Sequence, residues 1–145
     1  MQHDESVKIP ANLKQARNPK YSINEQVISH ADHMEGMNGA KATVVDVFDT
    51  IAYAISYTPT NGDQPVENHK WIVQEELKEA NEGAFKAGDK VTLETDHMPG
   101  MKGATAKIDQ SANTNVYMID YVPTNEDKTV YNHKWVIEEE LTKEE

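Results

Sequence analysis

Ala52-Tyr53-Ala54-Ile55-Ser56-Tyr57 and Val116-Tyr117-Met118-Ile119-Asp120-Tyr121 are one segment written twice. Large residues fall at every second position, the period of a β-strand. Tyr, Ile and Tyr are kept in both copies, while the residues between them differ (Ala52, Ala54 and Ser56 against Val116, Met118 and Asp120). The kept face is therefore the expected core face. Outward from this segment the neighbouring blocks recur as well. Asp32-His33-Met34-Glu35-Gly36-Met37-Asn38-Gly39-Ala40 returns as Asp96-His97-Met98-Pro99-Gly100-Met101-Lys102-Gly103-Ala104, and Asn68-His69-Lys70-Trp71 returns as Asn132-His133-Lys134-Trp135. Glu75-Glu76-Leu77 returns as Glu139-Glu140-Leu141. The offset is 64 residues throughout (His33 to His97, His69 to His133), with no gap between blocks. A constant offset across separate blocks marks an internal duplication.

The duplication divides the chain into an extended N-terminal arm (1–20), a first β module (21–77), a polar linker (78–84), a second β module (85–141) and a solvated tail (142–145). Gly88-Asp89-Lys90-Val91 reads as a turn feeding a strand, and Asn61-Gly62 is a strong hairpin signal. Several short strands with tight turns in so few residues predict an all-β fold, two tandem small SH3-like β-barrel modules. The SH3-like part of that expectation is an analogy of element order. The two cores are expected at Tyr53/Ile55/Tyr57/Trp71 and at Tyr117/Ile119/Tyr121/Trp135. Modules this small bury a modest share of their surface and are expected to be marginal singly.

Composition narrows the function classes. The net charge of −11 repels phosphate backbones and argues against nucleic-acid binding. No apolar run approaches the length of about 18 residues that a membrane span needs. Cysteine is absent, which excludes disulfides and thiolate metal sites. A Cys-free chain with clustered His and Met suits an oxidising compartment.

The chain has six Met, and four of them, Met34, Met37, Met98 and Met101, lie in the two repeated loops, each pair beside a His. Thioether sulfur and imidazole nitrogen in low coordination number suit a soft ion, Cu(I) above all. Gly36 and Gly100 let each loop fold back so that two Met and one His converge. The candidate metal ligands are thus His33, Met34, Met37, His97, Met98 and Met101. The bland alternative is that the Met residues fill the ends of small barrels, since Met is an adaptable core filler. Simple alternation places His69 with Trp71, and His133 with Trp135, as packed core histidines; the other reading makes each a further ligand at an open end. His30 has Glu94 as its counterpart and reads as a solvated strand residue. His3 could chelate Cu(II) with a free amine at the chain start. The runs Gln74-Glu75-Glu76 and Glu138-Glu139-Glu140 read as solvated faces. No nucleophile elbow, phosphate loop or His-Glu-x-x-His pattern occurs, so no enzyme is expected.

The combination Asp-His-Met-Pro-Gly-Met-Lys-Gly-Ala at 96–104, Val-Tyr-Met-Ile-Asp-Tyr at 116–121 and Asn-His-Lys-Trp-Val at 132–136 resembles the YdhK-type domain family. That family consists of tandem-domain surface lipoproteins of Gram-positive bacteria, and the likeness extends to the copper-resistance lipoprotein CopL. The resemblance covers about residues 21–141. It implies an extracytoplasmic, membrane-anchored lipoprotein that binds Cu(I), contributes to copper resistance and has copper-export machinery as a possible partner. The lipid anchor it implies would lie upstream of residue 1, because no Cys is present. The competing class is a non-metal SH3-like tandem interaction module that grips a peptide or cell-wall component through exposed aromatics.

Overall fold

A computed structural model describes residues 9–10 and 12–144. The fold is all-β, with seven strands: β1 (Gln26–Ser29), β2 (Lys41–Tyr57), β3 (Val66–Val73), β4 (Lys90–Thr92), β5 (Thr105–Val122), β6 (Val130–Ile137) and β7 (Leu141–Lys143). Three single 3-10 turns are the only helical pieces among the described residues. The strands form one antiparallel sheet in the order β4-β5-β2-β1-β7, with β3 on β2 and β6 on β5. The sheet does not close. Closed SH3-like barrels were expected from several short strands. Between Lys41 and Tyr57, and between Thr105 and Val122, no Gly or Pro interrupts the chain. Without a turn residue the chain does not fold back, and strands of 17 and 18 residues form where shorter ones were expected.

The compact units divide the chain differently from the sequence repeats. One unit comprises Leu13–Asp49 with Thr114–Glu145, and the other is centred on Thr50–Asn113. Each unit therefore takes the first part of one repeat and the second part of the other.

In the first unit β1 pairs with the start of β2 (Gln26↔Thr43) and with β7 (Ser29↔Leu141), while the end of β5 pairs with β6 (Ile119↔His133). Its core gathers Tyr21, Val27, Val44, Tyr117, Ile119 and Tyr121. Residues of the N-terminal arm extend this unit, with Ala16 N–H donating to Val47 O (3.1 Å) and Gln15 opposite Phe48. Lys143, in the stretch expected as a solvated tail, is exposed and ends β7, where its backbone pairs with the edge of β1. In the second unit β4 pairs with the start of β5 (Thr92↔Thr105) and the end of β2 pairs with β3 (Ile55↔His69). Tyr53, Ile55, Tyr57, Ile72 and Leu93 form its core. Burial of each such side chain contributes roughly 1.5–3 kcal/mol before the entropy of ordering is subtracted.

The shared Tyr-Ile-Tyr face is the core face in both units, as expected. The Trp residues are buried too, at 2% and 0% exposure, yet they lie outside these two clusters. The register explains why. Ile119 faces His133 and Tyr117 faces Val136, so two steps on β5 match three on β6. The same shift sets Ile55 against His69 and Tyr53 against Ile72. One extra residue in a hairpin strand is a β-bulge, and it reverses the alternation beyond it. His133 and Val136 thereby share the Tyr-Ile face, while Trp135 turns to the other side and packs edge-on against Phe48 at 5.7 Å. The grouping of His69 with Trp71 and His133 with Trp135 on one face, read from plain alternation, is corrected by this bulge. The histidines sit at the end of the Tyr-Ile face.

Candidate metal centre

In the second unit the loop 96–104 is tied at several points. Met101 N–H donates to Met98 O (3.2 Å), closing the turn Met98-Pro99-Gly100-Met101, and Gly103 N–H donates to Leu93 O (2.7 Å). Gly100 takes φ +82°, which the third position of a type II turn requires, and Pro99 presets the second. A Cβ on Gly100 would meet the Asn61 side chain at 2.8 Å. The Gly100 carbonyl accepts the Thr60 N–H at 2.8 Å. The hairpin and the loop are thus locked together at Gly100.

That lock sets His97 against a carboxylate. His97 Nε2 lies 2.6 Å from Glu76 Oε2, with both side chains almost fully buried (6% and 3% exposed). Glu76 also accepts from Val73 N–H (2.9 Å) and from the Thr95 hydroxyl (2.9 Å). The other ring nitrogen, His97 Nδ1, is buried and makes no hydrogen bond. The His69 ring lies 6.3 Å from the His97 ring, centre to centre, and Tyr57 stands edge-on to His69 at 6.1 Å. The Tyr57 hydroxyl donates to the Met98 sulfur at 4.0 Å. Burial pushes the Tyr57 phenol up from its ordinary value, so it remains a donor. Met98 is 43% exposed, whereas Met101 is fully buried in the core beside Tyr57.

The first unit repeats the plan. His33 Nε2 lies 2.8 Å from Glu140 Oε2, and Glu140 accepts from Ile137 N–H at 3.0 Å. His133 lies 6.2 Å from His33, and Tyr121 stands edge-on to His133 at 5.6 Å. Met34 is exposed at 54% and Met37 is fully buried. Each unit therefore sets a loop His near a hairpin His, and in each loop the Met after the His is exposed while the second Met is turned into the core. His30 is exposed and bonds Thr142 at 2.7 Å. His3 lies outside the described residues.

Two kinds of residue escaped the sequence reading. Glu76 and Glu140 were expected on solvated faces, but they hold the loop histidines. The recurrence of Glu-Glu-Leu after each Trp was the available signal. Tyr57 and Tyr121 were expected as core alone, yet their rings also border the hairpin histidines. Among the described residues no three His, Asp or Glu side chains are grouped to hold an ion. A thioether residue, Met98, follows His97 in the chain. The donor set of imidazole and thioether fits a soft monovalent ion and does not fit Ca²⁺ or Mg²⁺, which take oxygen ligands.

A family profile described as "Protein of unknown function (DUF1541)" matches residues 24–74 and again 87–138. The chain belongs to the DUF1541 family. Its two DUF1541 repeats coincide with the duplication read from the sequence. The chain is 52% identical over 142 residues to the uncharacterized protein YdhK of Bacillus subtilis strain 168, covering 98% of this chain and 69% of YdhK. The crystal structure of that DUF1541 protein matches with a TM-score of 0.93 at 52% identity, over 96% of this chain and 95% of that one. The solution structure of the YdhK C-terminal domain matches with a TM-score of 0.80 at 53% identity, over 85% of this chain and 93% of that one. The YdhK-type resemblance is thereby established. No helix among the described residues is long and apolar enough to cross a membrane.

Proposed function

We propose that this DUF1541 protein is an extracytoplasmic Cu(I)-binding protein. It sequesters or buffers copper as cargo, one ion in each compact unit, and so contributes to copper resistance. The ligands are His97, Met98 and Met101 with His69 in one unit, and His33, Met34 and Met37 with His133 in the other. The observation that carries this reading is His97: a buried ring nitrogen without a hydrogen-bond partner, next to an exposed thioether and a second imidazole. Such a lone pair, desolvated and unused, gains most from a cation of matching softness. The protein acts as a binder and not as an enzyme. A lipid anchor holds it to the membrane surface, where copper-export machinery is a natural neighbour. The test is a competition titration with a Cu(I)-chelating dye, run beside a matched Zn(II) titration. Tight Cu(I) binding with weak Zn(II) binding is expected, since thioether is a poor ligand for the harder ion. Equal affinity for both would exclude the Met ligands.

The non-metal reading has one feature in its favour. In the second unit a shallow groove of about 240 Å³ runs beside Tyr57, Pro65, Val66 and Lys107. Absence of any Cu(I) binding in the same titration would leave that groove as the better candidate.

A further inference from the structure

The buried carboxylate beside each loop histidine has no role in the ligand set named above, and its geometry gives it one. The Glu76 carboxylate accepts from a backbone N–H and from a hydroxyl, and it also meets the His97 ring. Val73 N–H reaches Oε1, while the Thr95 hydroxyl and His97 Nε2 reach Oε2, at 2.9, 2.9 and 2.6 Å. An acceptor-only carboxylate at that distance requires a proton on Nε2. The ring's lone pair then lies on Nδ1, the nitrogen that is buried and makes no hydrogen bond. We propose that Glu76 is a positioning residue which fixes His97 in its Nε2–H form and so presents Nδ1 to an incoming soft metal ion. Glu140 holds Nε2 of His33 in the same way at 2.8 Å.

The inference rests on the copper reading for the identity of the ion, but its first half concerns the metal-free protein alone. Two features separate positioning from mere packing. The carboxylate is anchored from its own backbone side by Val73, in a 3-10 turn spanning Gln74–Glu76, so its place does not depend on His97. The same anchor recurs at Glu140, where Ile137 N–H donates at 3.0 Å. A carboxylate on the far nitrogen of a metal-binding imidazole fixes ring orientation and raises ligand basicity, and its loss typically lowers metal affinity by about 10–100-fold.

The experiment is nitrogen-15 NMR of the full chain, without metal, at neutral pH, followed by Cu(I) and Ag(I) titrations of the same samples. In the wild type, His97 is expected to carry its proton on Nε2. In Glu76→Gln the amide can donate as well as accept, so the Nδ1–H form should gain population. Affinity of the second-unit site should fall by about 10–100-fold, with the amide spectrum of the sheet unchanged. Wild-type His97 with its proton on Nδ1 would overturn the proposal without any variant. So would an E76Q protein whose tautomer and affinity both match the wild type. If E76Q fails to fold, Glu140→Gln tests the same point at the less buried carboxylate, read at His33. If no metal binds while the tautomer result holds, the copper reading fails and the positioning of His97 by Glu76 stands.

Discussion

The two compact units are built on one plan, but the carboxylate that braces the loop histidine is more buried in the second. Glu76 is 3% exposed at its side chain and Glu140 is 15% exposed, and the His contact shortens from 2.8 to 2.6 Å. The Thr95 hydroxyl donates to Glu76, and the residue in the matching place of the first unit, Ala31, has no hydroxyl. Pro99 presets its turn where the first unit has Glu35, whose carboxylate instead accepts from the Asn125 amide at 3.1 Å. Met98 is less exposed than Met34. A preorganised site loses less conformational freedom on capturing an ion. If the proposed copper reading holds, two affinities are expected in one chain, with the tighter site in the second unit.

The largest expected effect comes from removing all the sulfur. Replacing Met34, Met37, Met98 and Met101 by Leu should abolish tight Cu(I) binding in dye competition. Because Leu keeps volume and apolarity, stability measured by urea unfolding should fall by less than about 1.5 kcal/mol per buried site. If the fourfold variant still binds at wild-type stoichiometry and affinity, the ligands lie among the histidines, beginning with His69 and His133. Next in size, and aimed at the comparison itself, is the pair of single changes. Met98→Leu should remove the tighter class of site and Met34→Leu the weaker, with the other class left intact. Loss of the tighter class on Met34→Leu would show that burial and bracing do not set the order.

A smaller effect, on stability alone, is expected at the two turn glycines. Both take φ +82°, which strains any residue with a Cβ by about 1–3 kcal/mol. At Gly100 the three nearest atoms a methyl would meet all belong to the end of the flexible Asn61 side chain, but at Gly36 it would collide with Asn125 and also meet Pro123 at 3.0 Å. Gly36→Ala should therefore lower the urea midpoint more than Gly100→Ala. The reverse order would mean that Pro99, and not the neighbouring hairpin, dominates the stiffness of the loop.

How far these features could be read from sequence depends on the range of the interaction involved. Alternation in Tyr53-Ala54-Ile55-Ser56-Tyr57 reports a strand face directly, and an offset of 64 reports duplication, so the β class, the repeat and the Tyr-Ile-Tyr core were legible. The His-Met loops were legible as a cluster because their chemistry is local. The bulge after His69 and His133 was not. It arises from pairing between β2 and β3, and between β5 and β6, and it moves Trp71 and Trp135 to the opposite face from that expected. The exchange of halves between the repeats was also invisible, because a fixed offset is compatible with either pairing of loop and hairpin. Glu76 was misread for a related reason. A Glu within an acidic run looks solvated until the fold sets it against His97, 21 residues away.

The smallest predicted difference between the units is one of pH. Tyr117 and Tyr53 occupy matching places, and each hydroxyl donates to the residue that follows its hairpin strand. In the second unit that acceptor is Gln74, which carries no charge; in the first it is Glu138. Burial alone would push the Glu138 carboxyl up. Hydrogen bonds from the Tyr117 hydroxyl, the Lys20 backbone N–H and the Asn115 amide outweigh burial and hold it below the usual carboxylate range. The same contact and burial push the Tyr117 phenol far above its ordinary value, so the donor does not ionise in any working range. A carboxyl whose folded value is depressed contributes stability that is fully present above its unfolded value of about 4.3 and is lost as pH falls through the folded value. The first unit should thus lose protection below about pH 4.3 at the Lys20 amide, read by hydrogen exchange, while the matched Phe85-Tyr53-Gln74 corner of the second unit does not respond through that acceptor. Glu138→Gln should flatten the pH dependence at Lys20 and make the two corners alike. An unchanged slope in that variant would show that Glu138 is not the group responsible.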